Sequence, residues 1–209
     1  MTVQTLSKTK HRIVQGAITA FNQSSFAEVT TAALAARLGM SEGNLWYHYP
    51  TKADLLAAVQ QAFLADWTQV SKDIPASPDP IADYIAYMHR WQALFDSYLF
   101  MFRDRSEYGA HSPELAANLS RIYSAVSVRL RTLYDALIAA NLLTIPAEAV
   151  DDLITNVMII SRFTLEFRQE AQPGLATPPA AGLAQHLSLL KPYLDPGSFR
   201  RVQDGLKGN

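Results

Sequence analysis

The sequence has 209 residues, a net charge of −1 and no cysteine, which excludes disulfides, thiolate metal sites and a cysteine nucleophile. Its length suits one large domain or two small ones, either of which can bury a substantial apolar core. Apolar runs reach only about five residues, far short of a membrane span, and the first twenty residues lack the apolar stretch of a secretory signal. We therefore expect a cytoplasmic location.

Apolar residues recur at steps of three or four along most of the chain, which predicts an all-α protein. No sustained alternating pattern indicates a strand. The predicted helices cover about 8–23, 31–38, 42–48, 52–72, 81–103, 113–141, 147–171, 180–192 and 197–206. Because the first three are short and most later ones long, we place a boundary within the fourth helix, between a domain of residues 1–52 and one of residues 53–209.

Charge is divided unevenly between these two parts. Residues 1–60 carry five basic and three acidic side chains, whereas residues 61–209 carry 13 basic and 16 acidic ones. The small basic excess of the first part is weak evidence on its own, but it is compatible with an anionic partner for that part only.

The most informative pattern lies between residues 30 and 52. Thr30 or Thr31 can cap a short helix, and Gly39 fits the left-handed position that ends it. Ser41 can then cap a second short helix. Two short helices joined by a tight turn with a glycine form a helix-turn-helix, whose second helix enters the major groove of DNA.

The second helix and its flanks carry groups suited to base edges and phosphates. Asn44 can pair with an adenine edge, and Gly43 allows a close backbone approach. Hydroxyl, imidazole and ammonium groups donate to phosphates, whereas Trp46 could donate its N–H or equally pack inside. The predicted DNA-contacting residues are Thr30, Thr31, Ser41, Gly43, Asn44, Trp46, Tyr47, His48 and Lys52.

Over about residues 8–60 the chain resembles the TetR family of bacterial transcriptional repressors. The resemblance rests on Thr30, Leu34, Ala35, Leu38, Gly39, Met40, Ser41, Gly43, Asn44, Leu45, Trp46, Tyr47, His48, Tyr49, Lys52, Leu55 and Leu56. It implies a homodimer with an N-terminal three-helix DNA-binding domain and a C-terminal helical domain for effector binding and dimerisation. The chain departs from the family at Trp46, where tyrosine is usual, at Pro50, and at Ala32, which replaces a polar or basic residue.

The predicted helix over residues 81–103 is apolar on nearly every side, which is typical of a buried core helix. Alternatively, its tyrosine and tryptophan side chains line a mostly apolar pocket with a few polar groups. Under this alternative we expect a small, largely apolar effector, either aromatic or lipid-like. The candidate effector-contacting residues are Tyr87, Trp91, Tyr98, Tyr123 and Phe163.

The last two long helices carry apolar stripes that can form a four-helix bundle with a second subunit. The alternative is that they pack only within their own subunit. The predicted dimer interface consists of Ile154, Val157, Met158, Leu183, Leu187 and Leu190.

No catalytic motif or metal-ligand spacing is present, so we expect no metal, no cofactor and no enzymatic activity. The leading hypothesis is a homodimeric repressor that a small apolar effector releases from its operator. The expected partners are double-stranded DNA, the effector and a second copy of the chain, with no membrane. The alternatives are an all-α small-molecule enzyme and a regulator-like protein without an effector.

Overall fold

The computed structural model describes residues 7–72, 77–104, 113–172 and 181–207. Its helices are α1 (Lys8–Gln23), α2 (Thr31–Arg37), α3 (Glu42–His48), α4 (Lys52–Lys72), α5 (Pro80–Ser97), α6 (Leu99–Arg103), α7 (Pro113–Ala139), α8 (Val150–Ala171), α9 (Ala181–Leu190) and α10 (Pro196–Lys207). A 3-10 turn, Ala147–Ala149, precedes α8, and Leu143 and Leu194 form an isolated bridge. The predicted all-α fold with a helix-turn-helix is confirmed.

One predicted helix, residues 81–103, is two helices in the structure. Tyr98 interrupts it with φ −124° and ψ 34°, so α5 ends before it and α6 begins after it. Asn22 on α1 bonds to backbone groups at the break: its amide donates to the Ser97 carbonyl at 2.8 Å, and its side-chain oxygen accepts from the Phe100 N–H at 3.0 Å. Apolar periodicity did not reveal the break because residues on both sides of it are buried.

The chain forms two compact packing units. The N-terminal unit contains Met1–Thr68 and Ser97–Asn118, and the C-terminal unit contains Gln69–Asp96 and Leu119–Asn209. Both α4 and α5 therefore contribute residues to each unit. The predicted domain boundary between residues 52 and 53 lies earlier in α4 than this division and stays a prediction.

In the core of the N-terminal unit, α1 packs with the first three turns of α4 and with the short helices α2, α3 and α6. Phe21 lies at its centre, with ring centroids 5.2 Å from Phe26 and 5.1 Å from Phe100. Burying each large apolar side chain contributes about 1.5–3 kcal/mol. Its fully buried residues include Ile13, Phe21, Leu34, Leu45, Leu55, Val59, Phe63 and Phe100. This core sets the positions of α2 and α3.

The core of the C-terminal unit contains a polar group at its centre. His186 is 1% exposed, and the hydroxyl oxygens of Tyr84 and Tyr134 lie 3.0 and 2.9 Å from its Nε2. Burial lowers the pKa of His186 to about 3 and raises the pKa values of both tyrosines. The imidazole is therefore neutral at pH 7, and its Nε2 either accepts from one of the two phenols or donates to one of them, according to the tautomer.

Packing within the C-terminal unit corrects the predicted dimer interface. Helices α8 and α9 pack closely against each other, and the side chains of both stripes point into the core of one subunit. Met158 is half-buried against that same core. The other five predicted interface residues are at most 7% exposed without any second subunit, namely Ile154, Val157, Leu183, Leu187 and Leu190. This burial agrees better with the alternative given above, in which the last two long helices pack only within their own subunit.

Candidate nucleic-acid interface and effector site

Side-chain caps define the two helices of the helix-turn-helix. The Thr30 hydroxyl accepts from the Ala33 N–H at 3.1 Å, and the Ser41 hydroxyl accepts from the Asn44 N–H at 3.2 Å. Between the helices, Gly39 has a φ of +63°, a conformation that glycine adopts without the usual penalty. Thr30 rather than Thr31 is thus the cap of α2.

The face of α3 that turns away from the core carries the predicted base-reading groups. Leu45 is 1% exposed and anchors the helix, whereas Tyr47 is 82% exposed and Trp46 is 38% exposed. Asn44 and Gly43 are exposed as well. The alternative that Trp46 packs inside is therefore not what the structure shows.

Gly43 stands in open space in the first turn of α3. A Cβ added there would meet nothing within 4 Å, so nothing within the described part of the chain requires a glycine at this position. Glycine within a helix costs roughly 0.5–1 kcal/mol relative to alanine.

Thr31 on α2 contacts α3. Its hydroxyl donates to a carboxylate oxygen of Glu42 at 2.8 Å, which joins the start of α2 to the start of α3. Because a hydroxyl has one proton to donate, the Thr31 hydroxyl cannot keep this bond and also donate to a phosphate. In the structure Thr31 orients the two helices, which differs from its predicted role.

Lys52 also has an intramolecular role that the sequence did not reveal. Its ammonium donates to the carbonyl oxygens of Phe26 and Ala27 and lies 4.3 Å from the centroid of the Phe26 ring. These contacts fasten the α1–α2 loop to the start of α4. Because an ammonium has three N–H donors, the predicted phosphate contact is compatible with these two bonds and stays a prediction.

Sequence reasoning missed the part that α6 plays near this interface. The Arg103 guanidinium donates to the carbonyl oxygens of Phe21, Asn22 and Ser24 at the end of α1. Asp104, which is 4% exposed, accepts from the Phe26 N–H at 2.8 Å. These two side chains hold the end of α1 and the following loop.

The structure separates the five candidate effector residues. Tyr98 belongs to the N-terminal unit, where its hydroxyl donates to Asp66 at 2.7 Å and its ring lies 5.2 Å from Phe63. Burial and the Asp66 carboxylate raise its pKa. This hydroxyl is thus bonded to a side chain of its own unit and is not grouped with the other candidates.

Tyr87 and Trp91 do come together in the C-terminal unit, with ring centroids 6.4 Å apart. The Tyr87 hydroxyl and the Trp91 indole nitrogen are buried and have no aligned hydrogen-bond partner among the described residues. Tyr123 is half-buried on α7. Phe163 is 51% exposed, with the Arg162 guanidinium 4.9 Å from its ring centroid, so the structure does not support its predicted place in a buried pocket.

Phe163 belongs to an exposed apolar stripe on α8. Ile159, Phe163 and Phe167 recur every four residues and are 50%, 51% and 68% exposed. We call these three residues the α8 stripe. Sequence analysis chose the opposite face of α8 because apolar residues occur at helical spacing on both faces. Phe167 continues the stripe at the same four-residue spacing, and this continuation was the sequence signal that could have distinguished the two faces of α8.

Family models were compared with the sequence, and two match. The model described as bacterial regulatory proteins of the tetR family matches residues 13–59, and the model described as a bacterial transcriptional repressor matches residues 61–202. The chain belongs to the TetR family. It is therefore a transcriptional regulator whose N-terminal match contains α2 and α3. A comparison with curated protein sequences found no match.

Solved structures of TetR-family regulators share the fold. One from Marinobacter aquaeolei VT8 is 23% identical, with a TM-score of 0.80 over 96% of this chain and 98% of that one. One from Streptomyces coelicolor is 17% identical, with a TM-score of 0.63 over 98% and 90%. A complex of SmeT, a repressor from Stenotrophomonas maltophilia, with triclosan is 18% identical, with a TM-score of 0.59 over 92% and 94%.

Two further properties concern the described residues only. Within them, no three histidine or carboxylate side chains come close enough together to hold a metal ion. None of the helices they form is both long enough and apolar enough to cross a membrane.

Proposed function

We propose that this TetR-family chain is a homodimeric repressor that reads a pseudo-palindromic operator with α3. The observation that carries the proposal is the outward face of α3, where Asn44, Trp46 and Tyr47 are exposed while Leu45 anchors the helix. A helix anchored on one side and polar or aromatic on the other suits the major groove. The open space at Gly43 supports a close approach of the DNA.

The exposure of the α8 stripe supports dimerisation through it. Monomeric proteins rarely leave large apolar side chains grouped on their surface, and Phe163 and Phe167 are both more than half exposed. A two-fold axis beside α8 would bring the stripe against its own copy, since the same patch serves both subunits. The stripe replaces the buried residues that the sequence suggested for this interface.

We also propose that a small, largely apolar effector binds in the C-terminal unit and weakens operator binding. Tyr87 and Trp91 support this placement because their polar atoms are buried without partners. The triclosan complex of SmeT, which has the same fold, supports an apolar ligand. An effector that couples to DNA binding typically changes the affinity about 5–150-fold.

The DNA-binding proposal is tested by selecting duplexes that bind the full-length protein from a random pool. We expect enriched pseudo-palindromes with half-sites about one helical turn, or a multiple of it, apart. Replacement of Asn44 by Ala should change the preferred bases, whereas the matched Gln61→Ala change at an exposed position of α4 should not. A pool that shows no enrichment would overturn the proposal.

A further inference from the structure

The proposed effector site contains buried donors that lack acceptors. Tyr87 is 1% exposed, yet its hydroxyl has no aligned partner among the described residues, and neither has the buried indole N–H of Trp91. Folded proteins pair nearly all their buried polar groups. Two adjacent exceptions therefore mark this part of the C-terminal unit as a candidate binding site.

The two side chains cannot satisfy each other. Burial raises the pKa of Tyr87, and the nearby indole N–H of Trp91 acts in the opposite direction. Even if that N–H turned fully towards the Tyr87 oxygen, the hydroxyl proton would still need an acceptor. An indole nitrogen only donates, so the missing partner must supply acceptor atoms.

The charge around Tyr87 is positive. The side chains of Arg129 on α7 and Arg90 on α5 both act on its hydroxyl and lower its pKa, and no carboxylate contributes among the described residues. The ion pairs found in those residues involve Arg103, Arg131, Arg162 and Arg201 but not Arg129. A half-buried arginine without a carboxylate favours an anionic oxygen, which accepts the stronger, charge-assisted hydrogen bonds.

The surroundings of these donors are apolar. Tyr87 is part of the main core of the C-terminal unit, and Trp91 and Val126 pack half-buried against it. A ligand that reached the donors would therefore place its remaining atoms against aromatic and aliphatic side chains. The site combines an anion-binding end with an apolar wall.

Building on the proposed function, we infer that the effector is an organic acid with an apolar body. Its carboxylate accepts from the Tyr87 hydroxyl, the Trp91 indole N–H and the Arg129 guanidinium, and its aromatic or acyl body packs against Trp91 and Val126. The inference narrows the apolar effector class that the sequence suggested, since a purely apolar ligand would leave the donors unpaired.

The inference is tested with two matched pairs of probes, decanoate with decan-1-ol and 2-naphthoate with 2-naphthalenemethanol. Each is titrated calorimetrically into the full-length protein without DNA. We expect at least one carboxylate to bind about tenfold or more tightly than its alcohol, as charge-assisted hydrogen bonds predict. Equal binding of acid and alcohol, or no binding by either acid, would overturn the inference.

Variants identify the site. Arg129→Gln should abolish the preference for the carboxylate, and Tyr87→Phe should weaken carboxylate binding about tenfold while keeping the ring in the core. The matched control is Arg131→Gln, because Arg131 lies two residues further along α7 and pairs with Asp135 and Asp151. If Arg129→Gln and Arg131→Gln had the same effect, general charge rather than this site would explain the preference.

A separate operator-release assay distinguishes this inference from the proposed function. If an alcohol that binds as tightly as its acid released the operator, the effector function would be supported and the acid site contradicted. If a carboxylate bound at Arg129 without releasing the operator, the acid site would be supported and the role of that ligand as an effector contradicted. Folding of each variant is checked by its thermal unfolding, and an Arg129→Gln protein that does not fold is replaced by Arg129→Met.

Discussion

The guanidinium of Arg103 donates a hydrogen bond of 2.7 Å to the backbone carbonyl oxygen of Phe21. The last carbonyls of a helix have no donor within the helix, and Arg103 supplies one from α6. Its ion pair with Asp104, whose side chain is 3% exposed, extends the contact to the Phe26 N–H. The end of α1 and the loop before α2 therefore depend on Arg103 at the end of α6 and on Asp104, the residue that follows it.

Replacement of Arg103 by Met should lower the free energy of unfolding by about 3 kcal/mol, because it leaves the buried Asp104 carboxylate without its cation. The control is Arg121→Met at an exposed position of α7, where we expect a change within about 0.5 kcal/mol. Urea denaturation of both variants measures the difference. Equal small effects would show that the contact does not hold α1.

Replacement of Gly43 by Ala separates stability from function. Since the added methyl group meets nothing within 4 Å, we expect the free energy of unfolding to rise by roughly 0.5 kcal/mol. Operator affinity should fall about tenfold or more, because the methyl group displaces α3 from the base edges. Thermal unfolding and a DNA-binding titration on the same sample measure both. Unchanged affinity would mean that DNA does not approach closely at this position.

Lys52→Gln distinguishes the intramolecular role of Lys52 from its predicted phosphate contact. Loss of the bonds to Phe26 and Ala27 should lower the free energy of unfolding by about 1 kcal/mol, with little change in the salt dependence of operator binding. If Lys52 also contacts a phosphate, the same change should in addition flatten the salt slope by about one unit. Lys8→Gln, which also removes one charge from the N-terminal unit, is the control for both measurements.

The helix-turn-helix could be predicted because each of its signals is local. Thr30 and Ser41 are caps, Gly39 occupies a left-handed turn, and Leu45 anchors α3. Each of these properties depends on residues only a few positions away in the sequence. Helical periodicity and capping rules describe such local relationships well. The exposed face of α3 followed from them directly.

Contacts between distant segments could not be predicted in this way. Arg103 and Phe21 are 82 residues apart, and no spacing rule joins them. Lys52 bonds to Phe26 across 26 residues for the same reason. The sequence could not show which apolar face of α8 is buried within the subunit, because both faces carry apolar side chains. Tertiary packing buries Val157 and leaves Phe163 exposed.

The proposed role of the α8 stripe predicts different outcomes for two charge substitutions on the last long helices. Phe163→Glu should give a folded monomer, because it charges an exposed interface position. Leu187→Glu should instead unfold the subunit, because Leu187 is 6% exposed within it and an unpaired buried charge costs several kcal/mol. Sedimentation reports the mass and circular dichroism the helix content. A dimeric Phe163→Glu protein would place the interface elsewhere.

Burial of His186 makes stability depend on pH. The imidazole has a pKa of about 3 in the folded chain and about 6.5 in the unfolded chain. Below pH 6.5 the unfolded state binds a proton that the folded state does not, so stability is complete above this pH and is lost as the pH falls towards 3. Between pH 7 and pH 5 the loss should be about 2 kcal/mol.

The variant His186→Gln should remove that loss. A glutamine side chain can still accept from the Tyr84 and Tyr134 hydroxyls, which lie 3.0 and 2.9 Å from Nε2, but it does not titrate. Urea unfolding of the wild type and the variant at pH 7 and pH 5 isolates the effect, since every other titrating group is common to both. We expect the wild type to lose about 2 kcal/mol more than the variant on acidification. Parallel losses in the two proteins would mean that the folded subunit protonates His186 as readily as the unfolded chain does.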